Sequence, residues 1–503
     1  MKIYPENAVA ETDRFTTFAL SLILFKDIFM KKAVFLSVLL LGINAAEAKV
    51  QLPQQIGDHM VLQQLTDANL WGEAAPNASV SIVSSWSDKA YSVKADAAGL
   101  WKAAIETPAA TFCPQTISIS DGEAVTLRDV LIGEVWFCSG QSNMEMPLNG
   151  FGHSPVLDAN NTIADAGNHS GIRMATIERK GAVVPQAYAN GSWKVSNPEN
   201  AQWFSAVAYH YALTLQRTLN VPVGIIACAW GGSRVEGWLP KEILATCPDE
   251  DLSRAGSEEG TEYMQPMIMY NGLLKPLTNY TIKGFAWYQG CSNVGHETVY
   301  AQRLATMVKH WRSLWGLGDI PFYFTEIAPY DYDGDNGDGI SGALLREAQV
   351  KAQSLIPNSA VISTNDLVKP FESAQIHPAN KTDVGQRLAY QALNKTYGYT
   401  GIAADAPTYQ KMEISEGKAE LYFNHAEDGF TPWKAIEGFE IAGADKVFHP
   451  ATAGVDQWKG TVTVSSEEVA DPVAVRYCFR NFRIGNLVGS RNLPVIPFRT
   501  DNW

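Results

Sequence analysis

The run Ser139-Gly140-Gln141-Ser142-Asn143-Met144-Glu145 follows directly on an apolar stretch that ends at Phe137-Cys138. A serine just past the carboxyl end of a strand stands at the rim of a sheet. The neighbouring glycine lets the backbone turn tightly and come close to a substrate. Such a hydroxyl attacks a carbonyl once a base takes its proton. Three more stretches offer the other parts of that chemistry. Trp230-Gly231-Gly232-Ser233-Arg234 follows a second apolar run, and paired glycines can present bare N–H groups to a developing oxyanion. Trp287-Tyr288-Gln289-Gly290-Cys291-Ser292-Asn293 follows a third; the Asn293 amide carries two donors and could complete such a hole. Gln375-Ile376-His377-Pro378 precedes a helical pattern. A neutral imidazole there could take the Ser142 proton and return it to a leaving alcohol. His296 is a reserve base, close to Asn293, whereas His449 lies in the terminal β region. Each stretch alone is also what an ordinary turn produces; four in one order, all at strand or helix edges, point to a nucleophilic site.

The surrounding pattern explains how these residues could be brought together. Val130–Phe137, Val223–Ala229, Gly284–Tyr288, Phe322–Ile327 and Ala360–Ser363 read as buried strands. Phe204–Leu219, Tyr300–Trp315, Gly342–Leu355 and Asp383–Tyr397 read as helices between them. In the second, Leu304, Met307, Val308, Trp311 and Trp315 form one apolar stripe. Strands alternating with helices imply a parallel sheet covered on both faces, with its ligand site beyond the carboxyl ends of the strands. On either side the pattern has period two. Ser79–Val83, Tyr91–Ala95 and Thr116–Ser120 precede this region, and Ala419–Phe423, Gly460–Val464 and Val473–Tyr477 follow it. The expected organisation is a β domain over 49–128, an α/β domain over 129–402 and a second β domain over 403–503.

The first 48 residues read differently. Met30-Lys31-Lys32, the apolar run Ala33 to Leu41 and the small-residue end Ala46-Glu47-Ala48 describe a secretory signal peptide over 30–48, preceded by upstream sequence. The apolar runs fall short of the ~20 residues a spanning helix needs, so the expected location is secreted or periplasmic, with no membrane span in the mature protein. The six cysteines are scattered without metal-binding spacing; Cys138 and Cys228 read as small buried hydrophobes. A net charge of −14 argues against nucleic acid, whose phosphates demand a basic face.

The constellation resembles the sialate O-acetylesterase family of SGNH hydrolases across nearly all of the mature chain. Cys138 to Leu148 resembles that family's nucleophile block, Ala229 to Trp238 its glycine block and Trp287 to Asn293 its asparagine block. His377-Pro378 with Lys381, Val384-Gly385 and Arg387-Leu388-Ala389 resembles its histidine block. The resemblance implies an α/β, three-layer, flavodoxin-like catalytic domain flanked by β-sandwich-like domains. It implies Ser142 as nucleophile and His377 as base. The oxyanion hole would be the Ser142 and Gly232 N–H groups with the Asn293 side chain. The reaction implied is removal of acetyl from sugars, without metal or cofactor. The partner is an O-acetylated sugar or glycan: sialate foremost, acetyl-xylan or another plant glycan as the alternative. A non-catalytic carbohydrate-binding protein is the reading from another class. Oligomeric state is not legible.

Two departures from the family pattern stand out. Its aspartate, two or three residues before the histidine, is replaced by Gln375 and Ala374. The acid holds the imidazole in the right tautomer and stabilises its cation, so the expectation is a Ser–His dyad. Gln375, Glu372 and Asp366 are the groups that could orient the ring. Cys291 stands where the family has Glu, and its loss could weaken the support of Asn293. Gln141, Arg234, Trp230 and Gln289 are candidates for substrate binding, Arg234 as partner of a sugar carboxylate. Asp331 to Asp338 matches the start of a calcium loop and then fails it at Asn336 and Gly342; it reads as a mobile acidic loop.

Overall fold

A computed structural model describes residues 49–257, 261–432 and 434–503; the expected signal segment lies outside them. The apolar runs form the centre of an 11-stranded sheet. Seven of its strands form the central path: β1 (Ala124–Gly140), β2 (Ile172–Thr176), β3 (Trp193–Val195), β4 (Val223–Ala229), β5 (Gly284–Tyr288), β6 (Phe322–Thr325) and β7 (Ser359–Ile362), in spatial order β7-β6-β5-β1-β4-β2-β3. All these neighbours pair in parallel except the edge strand β3, which runs antiparallel to β2. A parallel sheet buries both faces, and alternate residues of β1 show it. Phe137 packs with Leu304 and Trp311 of α2 (Glu297–Trp315) and Leu345 of α3 (Ser341–Leu355). Trp136 and Cys138 pack on the other face with Tyr211 of α1 (Ala206–Leu219) and Leu388 of α4 (Thr382–Gln391). α1 and α4 approach closely because Gly385 has no side chain: a Cβ there would stand 2.5 Å from the Val207 carbonyl oxygen.

β1 is long because it serves two regions. Its first half pairs antiparallel with Thr111–Ser120 and in parallel with Val61–Gln63. The expected boundary at 128/129 therefore falls inside one continuous strand. Two further four-stranded sheets follow the α/β region and enclose a core of their own, including Leu421, Phe439, Val462 and Tyr477. Helix α4 stops earlier than expected, at Gln391, and passes into a wider turn over Ala392–Thr396. Strands β2 and β3 were not anticipated, being too short and too mixed in polarity to stand out. The acidic loop, expected to be mobile, is tied down: Asp333 accepts from Asn481 at 2.6 Å and Ser341 at 2.9 Å, and Asp338 accepts from Arg483 at 3.3 Å. Among the described residues, no helix is long and apolar enough to cross a membrane. No two of the six cysteines are bonded to one another.

Candidate active site

The parallel strands deliver the four stretches to one rim. β1 ends at Gly140, and Ser142 opens a single helical turn, Ser142–Glu145. Gly140 has a φ of +140°, and a Cβ there would lie 2.1 Å from the Tyr288 carbonyl oxygen of β5. Only glycine lets the nucleophile turn pass so close to the neighbouring strand. The loop after β7 brings His377 back to the same rim. Its Nε2 lies 2.8 Å from Ser142 Oγ, the contact a hydroxyl needs to hand over its proton. Burial, and then the nearby Lys381 cation, push the His377 pKa down to about 4, so the ring is neutral near pH 7.

The groups expected to orient that ring do something else. Gln375 meets His377 through the backbone: its Oε1 accepts from the His377 N–H at 3.2 Å and from Ser154 Oγ at 3.1 Å, and its Nε2 donates to the His153 carbonyl at 3.1 Å. Glu372 accepts from the Lys369 and Ala379 amides at 2.7 and 2.9 Å; it brackets the histidine loop without reaching the ring. Asp366 is occupied by Arg387 in a two-pronged pair of 2.7 and 2.6 Å. Among the described residues none of the three carboxyl or amide groups orients the imidazole. The ring is held instead by the edge of Phe151, with centroids 5.2 Å apart and planes at 70°.

The carbonyl side is built differently. Gly232 takes a φ of +77°, and a Cβ on its neighbour Gly231 would meet the Ser142 Cβ at 3.2 Å. The Gly231 N–H donates to Glu145 at 2.8 Å, whereas the Ser142 and Gly232 N–H groups have no partner among the described residues. Asn293 is buried. Its Oδ1 accepts from the Val235 N–H at 3.0 Å and from Gln289 Nε2 at 2.7 Å, while its Nδ2 donates to Glu236 at 3.0 Å. The same Nδ2 also lies 3.3 Å from the other Glu236 carboxylate oxygen, so the amide donates to both oxygens of one carboxylate. Glu236 is itself buried between Arg303 at 2.6 Å and Arg234 at 3.2 Å.

Those contacts correct the substrate-binding expectations. Arg234 is buried and paired with both Glu236 and Glu250 at 3.2 Å, so it has no charge to spare for a sugar carboxylate. Gln289 is spent on Asn293, the Ser233 carbonyl and Tyr300. Gln141 accepts from the Gly290 N–H at 2.7 Å and joins the nucleophile turn to β5. Trp230 belongs to the core. Cys291 supports neither Asn293 nor Glu236; its thiol, pushed up in pKa by burial, faces Tyr332, Lys381 and Asn143. His296 stays outside the serine contact and opens α2.

Sequence reasoning missed three braces. Glu145 holds the Gly231 amide. Asn143 donates to the Ile376 carbonyl at 3.0 Å and accepts from Lys381 at 2.7 Å, so it ties the serine turn to the histidine loop. Lys381 is buried, which lowers its pKa to about 7. Their signal was present, since Asn143 and Glu145 flank the nucleophile and Lys381 follows the histidine, but spacing cannot reveal who meets whom. Among the described residues, no cluster of acidic, histidine and cysteine side chains could hold a metal ion.

Comparison with known proteins shows what the chain is similar to. The family model described as carbohydrate esterase, sialic acid-specific acetylesterase, matches residues 132–394. The sialate O-acetylesterase of Homo sapiens is 26% identical over 421 residues, covering 77% of this chain and 79% of that protein. The Mus musculus sialate O-acetylesterase is 25% identical over 450 residues, covering 77% and 81%. The crystal structure of a carbohydrate acetylesterase from Xanthomonas citri is 36% identical with a TM-score of 0.81, covering 90% of this chain and all of that one. The protein is a hydrolase of carboxylic esters. Within that class, the chain belongs to the sialic acid-specific acetylesterase family of carbohydrate esterases.

Proposed function

We propose that the protein is a sialate O-acetylesterase that works by Ser142–His377 catalysis in an SGNH-type, flavodoxin-like domain over 129–402 with β domains at 49–128 and 403–503. The observation that carries the mechanism is the 2.8 Å contact between Ser142 Oγ and His377 Nε2, beside Ser142 and Gly232 N–H groups that have no partner among the described residues. Ser142 Oγ attacks the acetyl carbonyl while its proton passes to Nε2. The carbonyl oxygen, now charged, is held by the Ser142 and Gly232 amides, with the Asn293 side chain beside them as the third donor. Collapse breaks the ester bond, and Nε2–H gives its proton to the departing sugar oxygen. Water, deprotonated by the same imidazole, then releases acetate and frees Ser142. Among the described residues no carboxylate reaches the His377 ring, which supports a dyad. The site needs no metal or cofactor.

A neutral acetylated glycan, such as acetyl-xylan, is the second reading, because Arg234 is spent on Glu236 and Glu250. The basic, apolar and small-residue order of residues 30–48 supports secretion or export to a periplasm. The test is acetate release from p-nitrophenyl acetate by the protein and by Ser142→Ala. Loss of activity in the variant is expected. Equal activity in both, or none in either, would leave the non-catalytic carbohydrate-binding reading.

A further inference from the structure

Beside His377 lies a cavity of about 460 Å³, within the size range of small-ligand sites. His377 forms part of its wall, with Val156, Leu157, Leu367 and Phe371 supplying an apolar lining. Phe371 is 85% and Leu157 52% exposed, an unusual placement for large apolar side chains beside a polar site. The walls are preformed. The Leu157 N–H donates to the Ala379 carbonyl at 2.8 Å, and the buried Glu372 carboxylate pins the backbone at both Lys369 and Ala379. Lys369 stands at the lip and makes no ion pair among the described residues. The other cations near the site are engaged: Arg179 with Glu145, Arg234 with Glu236 and Glu250, Arg387 with Asp366, and Lys381 with Asn143.

Which part of an ester would enter this cavity follows from the chemistry. The imidazole that takes the serine proton must return it to the leaving oxygen. The alcohol half of the substrate therefore lies on the histidine side, and the acetyl group on the side of Gly232 and Asn293. We propose that the cavity is the leaving-group subsite for one acidic sugar. A C–H face of that sugar rests on Phe371 and Leu157, and its carboxylate meets Lys369. Sugar rings carry apolar faces that pack on aromatic side chains, and hydroxyls on the far edge can donate to Asp158, which also lines the wall. Lys369 thus takes the role that sequence had given to Arg234. This inference rests on the sialate reading above.

The test follows acetate release by the full chain from three esters: an O-acetylated sialic acid, an O-acetylated neutral pyranoside, and methyl acetate, whose leaving group is too small to reach Phe371. Phe371→Ala is expected to lower kcat/KM on both sugars relative to methyl acetate by about tenfold, chiefly through KM. Lys369→Gln is expected to lower the preference for the acidic over the neutral sugar by about tenfold, and Lys369→Arg to restore it. Unmoved ratios in Phe371→Ala, or an equal fall on both sugars in Lys369→Gln, would overturn the subsite while leaving the esterase intact. Wild-type protein that cleaves none of the three and matches Ser142→Ala would overturn the esterase reading, and this one with it.

Discussion

Asn293 and His377 come from loops at the same rim of the sheet and are held in different ways. Asn293 is buried in an ionic lattice: Glu236 orients its amide, and Arg303 and Arg234 hold Glu236. Among the described residues, His377 has no charge partner on its ring. It is positioned through its backbone by Gln375 and through its ring edge by Phe151. The difference matches the tasks proposed for them. A donor that stabilises charge on the substrate works best when it does not reorganise. A base that accepts and returns a proton needs only the right distance and a suitable basicity. In the proposed mechanism the rigid side would carry electrostatics and the other side proton transfer.

The comparison breaks most visibly at Glu236. Glu236→Ala removes the group that orients Asn293 and leaves Arg303 and Arg234 with one carboxylate each, Asp249 and Glu250. A loss of about 3 kcal/mol of stability is expected, read as a lowered thermal midpoint, together with a steep fall in kcat. A stable, fully active variant would show that the lattice is not what holds the donor. Asn293→Ala tests the donor without disturbing the lattice as deeply. A fall in kcat of ~10²–10³ with little change in KM is expected; a change confined to KM would remove Asn293 from the oxyanion hole.

On the histidine side the expected losses are smaller. Gln375→Ala deletes three hydrogen bonds, two that join the histidine loop to His153 and Ser154 and one to the His377 N–H within the loop. Each is worth about 1 kcal/mol at most, and the ring keeps its Phe151 contact. About a tenfold loss in kcat is expected, at unchanged pH dependence. If Gln375 acted as a substitute for the acid, its removal would instead shift the pH profile.

The same contrast explains what could be read without coordinates. β4 and β5 were legible to the residue because each is a continuous apolar run, and the helices because their apolar stripes have a clear period. Ser142, Gly232, Asn293 and His377 were legible because each sits where a strand or helix pattern breaks. The partners were not. Glu236 and Arg303 are 67 residues apart and Asn143 and Lys381 are 238 apart; such pairs form only once the sheet order is known. Arg234 reads from sequence as a candidate partner of a sugar carboxylate because spacing does not show that Glu236 and Glu250 close over it. The 128/129 boundary was placed inside β1 because the change from period two to a continuous apolar run reflects a change in what covers the strand, not a break in it.

The smallest and sharpest change concerns the missing acid. Burial and the Lys381 cation hold the His377 pKa at about 4, below the ordinary value of 6.5. The imidazole therefore stays neutral as pH falls through 6, and the acid limb of kcat/KM is expected near pH 4. A carboxylate beside the ring would favour its protonated form and raise that pKa. Ala374 is exposed and lies three residues before His377, a position where the family carries its aspartate, and changing it leaves the bonds of Gln375 in place. Ala374→Asp is expected to move the acid limb upward by a unit or more, about 1.4 kcal/mol per unit. It should also raise kcat several-fold at pH 8, where the imidazolium of the transition state gains a partner. The two effects oppose each other at pH 5, where the variant loses neutral imidazole that the wild type keeps. Profiles that cross between pH 5 and 8 would mean that the dyad trades rate for acid tolerance. An unmoved limb would mean that the loop, braced by Gln375 and Glu372, keeps position 374 out of reach of the ring.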